Sequence, residues 1–167
     1  MSIHSETELN AIGVLKRRTI EAKVLGPVIE AMAAEFGRER VLEVARRVIS
    51  GIAREQGAAL AAAAGGDSIA QFAGTLDRWT ADDALRIEVV EQSAEAFGYN
   101  VTRCRYAEMY RELGIPELGA VLSCQRDGAL IEGFNPSVQL TRTQTLMGGA
   151  SHCDFRYRLQ RPNATAE

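Results

Sequence analysis

Between Leu85 and Thr102 the chain reads LRIEVVEQSAEAFGYNVT, and across this span the apolar spacing changes from helical to extended. Leu85 to Val90 and Phe97 to Thr102 carry the β-branched and aromatic content of strands, and the short polar segment Ser93 to Glu95 between them predicts a hairpin. Everything before it reads as helix. Ile12, Leu15, Ile20, Val24, Leu25, Val28, Ile29 and Met32 recur at three- and four-residue intervals, an amphipathic helix ending before Gly37 with Pro27 as a kink or break. From about Arg38 a second helix carries Val41, Leu42, Val44, Ala45, Val48, Ile49 and Ile52 on one face, so Gly37 joins a helical hairpin. Ala58 to Ala64 reads as its extension in preference to an alanine-rich connector, because alanine has the highest helix propensity. Asp67 or Ser68 can cap a further helix carrying Ile69, Phe72 and Leu76. The apolar stripe of these helices is expected to bury against the sheet or against a second subunit.

After the hairpin, helical spacing resumes from Arg105 to Leu113 and stops at Gly114, Ile115 and Pro116. Glu117 to Leu130 predicts another helix ending near Gly133, and Asn135 with Pro136 marks a turn. Val138 to Leu146 and Cys153 to Leu159 are strand-like, separated by Gly148 and Gly149. The expected fold class is α+β: a helical N-terminal half packed on an antiparallel sheet of about four strands, with helices on one face. Residues 1–84 and 85–161 are expected to form one domain, followed by a mobile tail at 162–167.

The 167 residues are 46% hydrophobic and 25% charged, enough for one globular core without disulfide or metal staples. A formal charge of −3 gives no overall basic field, so nucleic acid is not expected as a principal partner. Lys16 and Lys23 are the only lysines, which removes Schiff-base and phosphate-binding lysine chemistry from the second half of the chain. His4 and His152 are the only histidines, too few for a multi-histidine metal centre. Cys104, Cys124 and Cys153 are an odd number without a CxxC pair, the pattern of reduced thiols. The polar start, MSIHSETELN, has no apolar leader and no run is long enough to span a bilayer. A cytoplasmic location without membrane partners is the expectation.

Three constellations carry candidate chemistry. Cys104-Arg-Tyr106-Ala-Glu108 lies at a strand-to-helix junction, where helix N–H groups favour a thiolate, Arg103 and Arg105 would reinforce it, and Glu108 falls one turn along. Cys124 and Asp127 share one helix face. In Ser151-His152-Cys153-Asp154-Phe155-Arg156-Tyr157, strand alternation puts Cys153, Phe155 and Tyr157 on one side and His152, Asp154 and Arg156 on the other. The alternative for each is structural: buried small thiols beside capping or surface carboxylates. Arg142, within Thr141 to Thr145, shares strand parity with Leu140 and Leu146; a ligand carboxylate or an internal acid is its expected counter-ion.

Asn100-Val-Thr-Arg-Cys104-Arg-Tyr-Ala-Glu108, Gly114-Ile-Pro-Glu117, Cys124-Gln-Arg-Asp127, Phe134-Asn-Pro136, Arg142-Thr-Gln-Thr145 and Cys153-Asp-Phe155 together resemble the L-2-amino-thiazoline-4-carboxylic acid hydrolase family. A more distant similarity is to vinyl-reductase-like small-molecule-binding domains. The family pattern usually has proline where this chain has Arg105, and often cysteine or an acid where it has His152. The resemblance implies a cofactor-free hydrolase that opens a small cyclic amidine, imide or amide at a carbon–nitrogen bond, with a small heterocycle as substrate. Cys104 is the first candidate nucleophile; Glu108, Cys124, Asp127, His152 and Cys153 complete the candidate catalytic set, and Tyr106, Asn135, Arg142, Thr143 and Asp154 the substrate-binding set. Arg142 would clamp a substrate carboxylate. The alternatives are a zinc hydrolase with three thiolates and His152 or Asp127 as ligands, and a non-catalytic sensor domain. A homo-oligomer is expected.

Overall fold

The computed structural model describes residues 11–160, so His4 and the tail expected at 162–167 lie outside the described residues. Helices α1 (Val14–Phe36) and α2 (Arg38–Ala64) form the expected hairpin, turned at Gly37, whose φ of 91° suits a residue without a Cβ. Pro27 does not end α1, which runs through it for a total of 23 residues. Packing along Ala22, Gly26, Ile29 and Ala33 outweighs the missing hydrogen bond; a Cβ on Gly26 would stand 2.9 Å from the Ile115 side chain. The alanine run is helical to Ala64. Ser68 then caps α3 (Ile69–Ala73) in a capping box with Gln71, and Gly74 ends it, leaving Leu76 outside before α4 (Asp77–Thr80).

The apolar stripe of α1 divides in a way the periodicity did not show. Arg18, Ala22, Gly26, Ile29 and Ala33 face inward, whereas Ile20, Val24, Val28, Met32 and Phe36 lie 44–63% exposed. On α2, Val44, Val48 and Ile52 are likewise open. Small residues win the interior because they let α1 approach its neighbours closely.

Strands β1 (Leu85–Gln92), β2 (Ala96–Cys104), β3 (Val138–Thr141) and β4 (Cys153–Leu159) form one sheet in the order β1-β2-β4-β3, every pair antiparallel. With the helical N-terminal half this is the α+β fold. β3 is shorter than expected. Its ladder with β4 ends at Thr141↔Arg156, and the Asp154 carboxylate then takes the N–H groups of Thr143 and Gln144 at 3.0 and 2.9 Å, drawing the chain off the sheet.

Between the hairpins run α5 (Arg105–Glu112), α6 (Pro116–Gly119), a wide turn Ala120–Cys124 and α7 (Arg126–Phe134). The single helix expected from Glu117 is divided because Gln125 N–H bonds back five residues to the Ala120 carbonyl at 3.1 Å, a π-type turn. One sheet face builds the core: Tyr99 stacks on Phe155 at 4.9 Å, and Tyr157 meets Phe72 of α3 at 4.8 Å. Helices α2 and α7 cross at backbone contact. A Cβ on Gly57 would fall 2.0 Å from the Leu130 carbonyl oxygen, and one on Gly133 2.0 Å from that of Arg54. These two glycines hold the C-terminal half of α7 against α2.

Candidate functional site

A cavity of about 500 Å³ lies under α2, between the heads of α5 and α7 and the end of the sheet. Cys104, Cys124 and Cys153 all line it, with Tyr106, Asp127 and Arg142. The fold brings them together from four places. Cys104 ends β2 and caps α5; Cys153 begins β4 and pairs with Val101; Cys124 closes the wide turn; Asp127 opens α7 three residues on. Distance along the chain hides a convergence that the sheet register enforces.

Arg142 reaches inward from just past β3. Its guanidinium donates to Asp127 Oδ2 at 2.5 Å and to the Cys124 carbonyl at 2.9 Å, and lies over the Phe155 ring at 4.9 Å. Of the two counter-ions open at the sequence level, the structure shows the internal acid. Burial pushes the Asp127 carboxyl up from the usual carboxylate range, and Arg142 opposes that rise without cancelling it. A carboxylate raised in this way is a better proton acceptor than an ordinary one.

Burial favours the protonated form of all three thiols. Burial pushes Cys104 up to about 11, although its sulfur accepts the Ala107 N–H at 3.4 Å. Burial likewise takes Cys124 to about 12 and raises Cys153, whose sulfur accepts the Leu146 N–H at 3.2 Å. The helix N–H groups expected to favour a Cys104 thiolate are present, and desolvation outweighs them. The flanking arginines do not reinforce them: Arg103 binds Glu108 at 2.9 Å and Asp83 at 2.8 Å, and Arg105 donates to the Asp82 carbonyl at 3.1 Å.

Five other predicted site residues do not line the cavity. Glu108 is on the surface, where Arg103 holds its carboxyl below the usual range. Asp154 anchors the segment after β3, also accepting from the Thr143 hydroxyl at 2.6 Å; burial raises its carboxyl, and these hydrogen bonds more than offset that, leaving it low. His152, just before β4, neighbours Gln144 and Ser151. Asn135 donates to the Asp67 carbonyl at 2.9 Å and accepts the Ser137 N–H at 2.8 Å, the work of a turn residue. Among the described residues no three His, Cys, Asp or Glu side chains are grouped to hold a metal, so the donor set of the zinc alternative does not fit.

The cavity wall also contains residues that sequence reading passed over. Arg18 and Arg126 are buried, share Glu21, and line the cavity with Gln56 and Trp79. Burial lowers the Arg126 guanidinium to about 10, and Arg18 adds to the effect. The hydroxyls of Tyr106 and Tyr110 are buried without hydrogen-bond partners among the described residues. A sequence signal existed: Arg18 stands four residues before Ala22, on the face whose other members are small or apolar.

Over residues 17–157 the chain matches the family model described as L-2-amino-thiazoline-4-carboxylic acid hydrolase. No curated protein gives a significant match. Among solved structures, the chain is similar to the phenol-responsive sensory domain of the transcription activator PoxR with phenol, with a TM-score of 0.53, 11% identity, and 87% of this chain and 76% of that one covered. It is also similar to trafficking protein particle complex subunit 3 from Naegleria fowleri covalently bound to palmitic acid, with a TM-score of 0.54, 9% identity, and 87% and 96% covered. At these identities the likeness is one of fold.

Proposed function

Because the chain belongs to the L-2-amino-thiazoline-4-carboxylic acid hydrolase family, we propose that its cavity opens a small acidic heterocycle by hydrolysing a ring carbon–nitrogen bond. The observation that supports this is the presence of Cys104, Asp127 and Arg142 in the lining of one cavity of about 500 Å³, the volume of a small-molecule site. Asp127 takes the Cys104 proton. The sulfur bonds to the ring carbon, the carbon–nitrogen bond breaks, and Asp127 passes the proton to the departing nitrogen. Water then adds to the carbon, expels the sulfur and restores the thiol, so the net reaction consumes one water. With the thiol at about 11, roughly one in 10⁴ molecules carries the thiolate at pH 7, which is why the sulfur depends on a nearby base. Arg142 positions Asp127 and limits its rise.

The test is turnover of L-2-amino-thiazoline-4-carboxylate and of cyclic amide and imide analogues, followed by mass spectrometry. Ring opening that disappears in Cys104→Ser and Asp127→Asn supports the reading. Full turnover in both variants ends it.

A second reading, ligand binding without turnover, is favoured by the burial that keeps all three thiols protonated. The PoxR domain of similar fold is described as phenol-responsive and carries phenol. Saturable binding of ring compounds with no product after prolonged incubation would favour this reading.

A second copy of the chain is the proposed cover for the exposed stripes of α1 and α2. Eight half-exposed apolar side chains from Ile20 to Ile52 amount to on the order of 800 Å² per copy, the size of one side of a standard interface. Two antiparallel helices related by a two-fold axis present matching faces.

A further inference from the structure

We propose that Arg18 and Arg126, with the Tyr106 hydroxyl, form the carboxylate-binding end of the cavity, and that Arg142 serves Asp127 instead of the substrate. This rests on the reading of the cavity as the site of a small ring acid, and it assigns the part of the site that recognises the charge.

Arg18 and Arg126 keep 6% and 7% of their exposure, yet both line the cavity. One carboxylate serves them both: Glu21 lies 2.5 Å from Arg18 and 3.3 Å from Arg126. The other partners of Arg126 are neutral, the Leu122 carbonyl at 2.7 Å and Gln56 at 3.4 Å. Two buried cations sharing one directly bonded carboxylate leave a positive surplus facing the cavity.

Tyr106 is the independent observation. Its hydroxyl is buried and unpaired among the described residues, in the same cavity wall and within the field of Arg18. The Tyr110 hydroxyl, within the field of Arg18 and Arg126, is likewise unpaired among the described residues. Native proteins rarely leave buried hydroxyls unused. A carboxylate seated here answers both anomalies, because it brings the missing negative charge and the lone pairs that a tyrosine O–H needs. Arg142 has no such vacancy; Asp127 and the Cys124 carbonyl occupy it and Phe155 lies beneath. The ring acid therefore enters with its charged group toward α1 and the head of α7, and its ring carbon toward the cysteines.

Trp79 is the only tryptophan and lines this cavity, so its fluorescence reports occupancy without turnover. L-2-Amino-thiazoline-4-carboxylate and its carboxamide, which keeps the ring and lacks the carboxylate, are titrated into the full chain and into Tyr106→Phe, Arg18→Gln and Arg126→Gln. The acid is expected to bind the parent at least about tenfold tighter than the amide. Tyr106→Phe should weaken the acid about three- to tenfold and each arginine variant about tenfold or more, with the amide unmoved. Should an arginine variant fail to fold, Tyr106→Phe decides, because it removes only an unsatisfied oxygen. Equal binding of acid and amide by the parent, no binding of the acid, or equal weakening of both ligands in Tyr106→Phe overturns the subsite. If the acid binds as expected and is never opened, the hydrolase reading falls and the subsite stands. If rings are opened while acid and amide respond alike, the subsite falls and the hydrolase reading stands.

Discussion

Arg142 and Asp127 meet at 2.5 Å, joining the segment that leaves β3 to the first turn of α7 across the cavity wall. Arg142→Met leaves Asp127 without its cation. Burial already raises that carboxyl, so it is more readily protonated folded than unfolded. A group raised on folding adds stability that is full below its unfolded pKa and lost as pH rises through its folded value. Removing Arg142 raises the carboxyl further, so the variant should lose more stability at pH 7 than at pH 4, by about 2–4 kcal/mol at pH 7. Thermal melts at the two pH values check the difference. Turnover should fall about 100-fold, and KM for acidic and neutral rings should shift alike; a rise confined to acidic rings would return the clamp to Arg142.

Cys104 is both cap and candidate nucleophile, and serine separates the two roles. Its sulfur accepts the Ala107 N–H at the head of α5, a place where serine is a preferred residue. Cys104→Ser should therefore keep the melting temperature within about 3 °C while ring opening falls at least about 1,000-fold. In the parent, a thiol at about 11 should be alkylated by iodoacetamide about ten times faster for each pH unit between 7 and 10. Mass spectrometry of the Cys104 peptide follows the rate; a pH-independent rate would show a thiolate already formed at neutral pH.

The strands with clear alternation were legible: β4 runs from Cys153 to Leu159 as its pattern predicts, and the β1–β2 hairpin turns where the polar residues lie. The residues after Thr141 alternate just as well and still leave the sheet, because a side chain eleven residues downstream of Thr143 captures their N–H groups. No local pattern carries that information. For the site, the cysteines were visible as residue types, whereas Glu108 shows why spacing is weak: one turn from Cys104 along α5, it turns to Arg103 and water. The buried arginines were hidden by the usual expectation that charge marks the solvent face.

Gly57 and Gly133 set the separation of α2 and α7, and with it one wall of the cavity. An alanine methyl at either site would stand 2.0 Å from a backbone oxygen, which no rotamer relieves. Alanine normally favours a helix over glycine by about 1 kcal/mol, so an isolated helix predicts stabilisation. Gly57→Ala and Gly133→Ala should each instead destabilise by about 2–3 kcal/mol as the helices are forced apart. Urea titration of both variants measures it, with Gly51→Ala, where nothing lies within 4 Å, as the control expected to gain stability.

The exposed stripes give a prediction about assembly. Val24 and Val48 lie 61% and 53% exposed on neighbouring helices of the hairpin, and neither belongs to the buried core. Val24→Asp with Val48→Asp places charge in the middle of the proposed interface and changes no buried core residue of the single subunit. Light scattering on a sizing column should show the parent at twice the chain mass and the double variant at the chain mass, with unchanged far-ultraviolet circular dichroism. Burying an unpaired carboxylate costs several kcal/mol for each copy, so the shift should be complete at micromolar concentration. A parent that elutes as a monomer at all concentrations would leave the stripes as plain solvent-facing surface and remove the second copy as their occupant.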